Sequence, residues 1–223
     1  MPRYILSLFA ICALLLPLGH ISIAQAQNIP PTIAAPPEDD GYALREAPDD
    51  HIIGSATAPN TLIIYASVTC PHCSHWFSTE WDLIKSELIE TGELRVVFRE
   101  FITAPPKVAA TGFTIANCTK ADNYIDIIHH QMVNQANIIA DLQAAKGLDA
   151  YSSTLALAGL SKSDIPNCFA DQSHHLRLQT SMKRAHASGL RGVPAFILNG
   201  ALYDGPVKAD TLAQSFKAGI SKP

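Results

Sequence analysis

Cys70 and Cys73 stand three residues apart in the run Thr69-Cys70-Pro71-His72-Cys73. On a helix this spacing sets the second thiol one turn from the first, so a mixed disulfide formed at Cys70 lies within reach of Cys73. Exchange chemistry also needs a sulfur held as thiolate. Pro71 suits the first helical position, where its missing N–H loses nothing. That puts Cys70 just ahead of a helix whose unpaired N–H groups and positive dipole end favour thiolate over thiol. A protonated His72 beside it adds to the effect. Redox exchange is the chemistry these residues fit first.

The spacing has other uses. Half of a zinc site has the same Cys-x-x-Cys form, and His72 and His75 offer nitrogen ligands. No second Cys-x-x-Cys follows and the other cysteines are single and distant, so no metal and no cofactor is expected. Covalent haem attachment needs His directly after Cys73, where Ser74 stands. As a purely structural bond, Cys70–Cys73 closes too short a loop to restrain the unfolded chain much.

The flanking elements fit a presented thiol pair. Thr61 to Ser67 is a continuous apolar, partly β-branched run, as a fully buried strand requires. From His72 to about Ile89, apolar Trp76, Phe77, Trp81, Ile84, Leu88 and Ile89 recur with helical period. Thr91-Gly92 ends that pattern, and Leu94 to Ile102 reads as a second strand. Strand, helix, strand at this spacing is a βαβ unit, with a parallel pair and a right-handed crossover. His51 to Gly54 reads as a short edge strand or turn.

Between about 106 and 188 the signals are helical: Ala109–Cys118, Asn123–Val133, Ile138–Lys146 and Ser163–Ala187, punctuated by Gly147, Gly159 and Pro166. This is a helical insertion between two halves of one fold. Gly189 caps the last helix. Ala195 to Leu198 and Ala201 to Asp204 then form a hairpin about Asn199-Gly200, a type I′ signal. Lys208 to Ile220 closes the chain as an amphipathic helix with Leu212, Phe216 and Ile220 on one face.

The N-terminus sets the compartment. Arg3 precedes an apolar run from Tyr4 to Leu18, and Ala24-Gln25-Ala26 offers a signal-peptidase pattern, so residues 1–26 are expected to be a cleaved export signal. Cys12 leaves with it. Residues 27–50, with five prolines and an acidic cluster, are expected to form a disordered leader, and 51–223 the folded domain. Without Arg3 the 16 basic residues become 15 against 20 acidic ones, a net charge of −5, which argues against nucleic acid as a partner. Four cysteines remain, an even count that favours disulfides in an exported protein. If Cys70 and Cys73 pair, Cys118 and Cys168 are either bonded to each other or two buried free thiols.

Cys-Pro-His-Cys after a buried strand and Gly192-Val193-Pro194 before a hairpin together resemble the DsbA family of periplasmic thiol:disulfide oxidoreductases. The resemblance runs from about Asp50 to Ile220. It implies an α/β, thioredoxin-like fold with a helical insertion between the βαβ half and the C-terminal ββα half. It implies Cys70 as exposed nucleophile, Cys73 as buried partner, His72 as the group stabilising the Cys70 thiolate, and Pro71 as part of the motif. Pro194 matches the family's cis-proline, with Val193 offering its backbone to substrate. Cys118 and Cys168 are placed as in an alphaproteobacterial branch with a second disulfide. The implied partners are unfolded or reduced exported proteins, and a DsbB-type membrane quinone reductase as reoxidant.

One position departs from the family pattern. Six residues before the nucleophile, where relatives often carry a buried acid, this chain has Ile64, followed by Tyr65; Glu100 or water is the available substitute. His129-His130 and His174-His175 are adjacent pairs that read as solvated helix faces. Competing functions are a disulfide isomerase or reductase on the same fold, and a non-enzymatic metal-binding or chaperone module using Cys70, Cys73 and His75. Isomerases often add a dimerisation domain, for which the Pro-rich stretch before Asp50 is too short.

Overall fold

The computed structural model describes residues 40–219. The expected export signal, leader residues 27–39 and Ile220 lie outside the described residues. In chain order come β1 (His51–Ile53), β2 (Asn60–Ala66), α1 (Pro71–Thr79), α2 (Trp81–Ile84), a π-helical turn (Lys85–Ile89) and β3 (Leu94–Glu100). The helical region follows as α3 (Pro106–Asn117), α4 (Tyr124–Val133), α5 (Gln135–Gln143), α6 (Ser152–Ala158), α7 (Ile165–Ala170) and α8 (Gln172–Ala187). Short 3₁₀ turns precede α4 and α6. The chain then returns as β4 (Ala195–Leu198), β5 (Ala201–Tyr203) and α9 (Ala209–Lys217).

The five strands form one sheet in the order β1-β3-β2-β4-β5. β2 and β3 run parallel, as the βαβ reading requires, and the other pairs are antiparallel. This is the expected α/β order, with α3 to α8 inserted between the two halves. β2 lies at the centre and is buried on both faces. Leu62, Ile64 and Ala66 join the main core with Phe77, Trp81 and Phe113, while Ile63 and Tyr65 pack with Val97, Ile197 and Ala185 of α8 on the other face. Its unbroken apolar run has this cause. Among the described residues, no helix is long and apolar enough to cross a membrane.

Several helix boundaries differ from the sequence reading. The helix expected from His72 to Ile89 breaks at Glu80, and its last turn is π-helical. The wider turn re-phases the chain, so adjacent Leu88 and Ile89 are both buried. The helix expected over Ser163–Ala187 is two helices, because Asp171 is extended (φ −75°, ψ 106°) and its carboxylate accepts from Ser173 N at 2.9 Å. α6 had no counterpart in the sequence reading. Its Leu155 packs into a satellite core with Ile115, Ile138, Tyr151 and Ile165, too few apolar positions to declare a helical period.

Residues 40–50, assigned above to the leader, are held against the domain by two arginines. Arg99 pairs bidentately with Asp50, both at 2.9 Å, and donates to the carbonyls of Tyr42, Ala43 and Arg45 and to the Tyr65 hydroxyl. Arg184 binds Asp40 and Asp49, each at 2.8 Å through Nε and Nη2. The acidic residues that read as solvating are therefore counter-charges for two buried guanidiniums.

The Asp50 and Arg99 side chains are each 2% exposed. Asp50→Ala leaves a buried guanidinium without its partner and is expected to cost about 3–5 kcal/mol. Urea unfolding of the variant measures this; a loss below ~1 kcal/mol would show that the 40–50 clamp is not anchored there.

Candidate active site

The chain leaves β2 at Ala66 and enters α1 at Pro71, with Cys70 as the extended N-cap residue (φ −88°, ψ 119°). Cys70 N donates to Ser67 O at 3.1 Å and Ser74 N to Cys70 O at 3.0 Å, closing the turn and opening the helix. Pro71 occupies the first helical turn as expected. Both motif cysteines carry free thiols.

The two sulfurs differ in surroundings. Cys73 is fully buried in the cluster that holds Ile64, Phe77 and Trp81, and its sulfur accepts from Ser67 N at 3.5 Å. Burial pushes its thiol pKa far up, against the smaller pull of the Ser67 N–H. Cys70 is 7% exposed, less open than the family resemblance implies. Its thiol makes no cap to α1; it donates to Val193 O at 3.3 Å. The Val193–Pro194 bond is cis, and the loop before β4 lies on the thiol with Val193 O turned toward it. A second cis bond, Ala104–Pro105, was not anticipated. Pro71, His72 and His75 are exposed on the rim.

Three supports for this turn had no signal in the sequence. Gln135, at the start of α5 and 9% exposed, donates from Nε2 to Val68 O at 2.9 Å and Cys70 O at 3.1 Å. Ser67, Thr69 and Thr103 join hydroxyls at 2.8 to 3.1 Å, tying the turn to the segment after β3. Ser74 Oγ donates to Met132 O of α4 at 2.7 Å. A lone Gln in a helical pattern and hydroxyls far apart in the chain carry no spacing rule.

Ile64 is fully buried in the same cluster as Cys73, and Tyr65 points to the opposite face, into the Arg99 network. Glu100, the proposed substitute acid, is buried and bound elsewhere. It accepts from Asn117 Nδ2 at 2.6 Å and Tyr124 Oη at 2.9 Å, while its other oxygen has no partner. His51 completes this network, stacked on Tyr124 at 3.4 Å with Nε2 2.9 Å from Asn117 Oδ1. Burial raises the Glu100 pKa to about 6, against hydrogen bonds from Asn117 and Tyr124 that lower it.

Cys118 and Cys168 are joined by a disulfide that ties the end of α3 to α7. The histidine pairs are not simply solvated faces. His129 lies near Phe77 and Trp81, and His130 meets Ser153 Oγ at 3.1 Å. His174 Nε2 lies 3.6 Å from Cys118 Sγ, while His175 is exposed and pairs with Gln179. Among the described residues, the one group of three ligand atoms drawn together is Cys118, Cys168 and His174, away from the motif cysteines.

A sequence model of the family described as thioredoxin matches residues 46–218. A Rickettsia conorii protein, provisionally named as a protein-disulfide oxidoreductase, is 25% identical over 175 residues. That alignment covers 78% of this chain and 61% of the relative's length. Wolbachia pipientis alpha-DsbA1 superposes with TM-score 0.68 at 20% identity, covering 78% of this chain and 92% of that one. A protein-disulfide isomerase from Novosphingobium aromaticivorans gives TM-score 0.63 at 22% identity, covering 78% and 98%. These likenesses establish a thioredoxin-like fold carrying a helical insertion.

The buried acid generates a pH prediction. Folded Glu100 keeps its proton to about pH 6, against an ordinary value of 4.5. Between those values the folded chain binds more protons than the unfolded one, so this residue's contribution to stability falls as pH rises through the window. Relative to Glu100→Gln, the parent is expected to lose about 2 kcal/mol between pH 4.5 and 7.5. Urea unfolding of both proteins at the two pH values checks it; parallel behaviour would remove the buried proton.

Proposed function

From the premise that the chain belongs to the thioredoxin family, we propose that it is an exported thiol:disulfide oxidoreductase donating a Cys70–Cys73 disulfide to newly exported proteins in the periplasm. One observation carries the reading. Cys70 Sγ sits at the head of α1, 3.3 Å from Val193 O of the cis-Pro194 loop, with Cys73 enclosed one turn behind it. The names of the relatives, oxidoreductase and DsbA, agree with it.

In the oxidised protein a substrate thiolate attacks Cys70 Sγ. The Cys70–Cys73 bond breaks, a mixed disulfide forms at Cys70, and Cys73 leaves toward the Ser67 N–H and takes up a proton. A second substrate thiolate then attacks its neighbour's sulfur and expels Cys70 as thiolate. The substrate is oxidised by two electrons and the pair is left reduced. The head of α1 and the exposed His72 favour charge on the departing Cys70 sulfur. The backbone at Val193 is the edge on which an extended substrate segment pairs. Reoxidation falls to a DsbB-type membrane quinone reductase.

The second reading, an isomerase or reductase on the same fold, is favoured by the name of the Novosphingobium neighbour. The reduction potential separates the two. Equilibration of Cys70–Cys73 with glutathione is expected to give a value more positive than about −180 mV, above the isomerase range. A value near about −270 mV would place the pair with the reductants and overturn the donor assignment.

The division of labour between the sulfurs is tested by trapping. Cys73→Ser, offered a reduced exported protein and a mild oxidant, is expected to accumulate a mixed disulfide at Cys70, visible on a non-reducing gel. Cys70→Ser is expected to give none. Equal trapping by both variants would reverse or abolish the assigned roles.

A further inference from the structure

The disulfide between Cys118 and Cys168 has a histidine at its side that the exchange chemistry does not use. His174 Nε2 lies 3.6 Å from Cys118 Sγ, and the two sulfurs and this nitrogen all fall within 4.8 Å of one another. The His174 side chain is 15% exposed, whereas its neighbour His175 faces solvent. Asp171, which caps α8, has Oδ2 3.8 Å from the same Nε2. His174 also lines a cleft of about 380 Å³ between α3 and α8, with Thr114, Asn117, Phe169 and Asp171 on its walls. Two sulfurs and an imidazole, from the C-cap of α3, from α7 and from α8, thus converge beside an open path to solvent.

We propose that Cys118, Cys168 and His174 form a redox-gated zinc site: closed while the cysteines are bonded, and competent for a thiophilic divalent ion once they are reduced. The inference is independent of the function assigned to Cys70 and Cys73. The opening step is a two-electron reduction by an external dithiol, which leaves as its own disulfide and delivers two protons to the protein sulfurs. Zinc then displaces those two protons, binding two thiolates and the neutral imidazole.

The geometry suits this donor set. Tetrahedral zinc takes sulfur at about 2.3 Å and imidazole nitrogen at about 2.0–2.1 Å, so its ligand atoms stand roughly 3.3–3.8 Å apart. Once the S–S bond is gone, side-chain rotation at two cysteines reaches those separations from the present ones. Three protein ligands leave a fourth position toward the cleft, for water or the Asp171 carboxylate. A disulfide that served only as a staple would need no imidazole against its sulfur. Here the imidazole is held in place while the adjacent His175 is turned away.

The test uses the full chain carrying Cys70→Ser and Cys73→Ser, so that the only other thiols besides Cys12 are those of the proposed site, and Cys12→Ser removes that one. Reduced with a phosphine, the protein is titrated with Co²⁺ as an optical probe for zinc. One cobalt per chain is expected, with thiolate-to-metal charge-transfer absorption that disappears when the disulfide is re-formed. His174→Ala is expected to weaken binding about a hundredfold, and His175→Ala to leave it unchanged. As a second readout, Zn²⁺ slows alkylation of Cys118 and Cys168 in the parent and not in His174→Ala. Circular dichroism of the oxidised His174→Ala protein establishes that it folds. Absent binding, binding that survives oxidation, equal binding by His174→Ala, or a reduced chain that unfolds and does not refold with metal each overturns the proposal.

Discussion

The candidate active site depends on how the chain leaves its central strand. β2 is hydrogen-bonded on both sides and buried on both faces, so its end cannot shift without disturbing the whole sheet. Within four residues the chain must stop being strand and begin a helix, inside the protein, with every backbone polar group partnered. The Ser67–Cys70 turn, Gln135, the Ser67 hydroxyl and Cys73 itself supply such partners. Cys70 is thereby held at the head of α1 and Cys73 beneath it. The positions of the two sulfurs follow from satisfying a buried turn.

This makes the helical insertion part of the site. Gln135 and Met132, both contributed by the insertion, hold the turn and the first helix from outside the sheet. The cis-Pro194 loop closes the opposite side, so three stretches distant in sequence meet at one residue, Cys70. On the other face of the sheet, Arg99 and Arg184 gather the acidic residues before β1 and seal that layer with charge. The two faces of β2 thus serve different ends, one apolar and enclosing Cys73, the other polar and anchoring the segment that enters the domain.

With Ile64 in the same cluster, Cys73 sits in apolar surroundings with a backbone N–H as its hydrogen-bond donor. The ionisable group that this core does contain, Glu100, is engaged by Asn117, Tyr124 and, through them, His51. Its raised pKa reflects burial within that network. A residue can therefore share a sheet face with the Cys73 sulfur and still be committed to another set of contacts.

Local signals determined what local physics controls. The buried strand, the parallel βαβ unit, Pro71 at the helix head, the Gly189 cap and the Asn199-Gly200 hairpin, where both residues take positive φ (49° and 88°), were legible because each depends on neighbours in sequence. The cysteine spacing pointed to exchange chemistry for the same reason. What the tertiary structure alone decided were contacts between distant residues: Val193 O on Cys70, Gln135 under the turn, Glu100 bound away from Cys73, acidic residues 40–50 clamped by two arginines, and His174 turned inward while His175 faces out. Helix breaks at Glu80 and Asp171 belong with these, since packing and a single side-chain cap override a continuous apolar period. Sequence spacing encodes the path of the chain, whereas a polar group's partner is set by what folding brings to it.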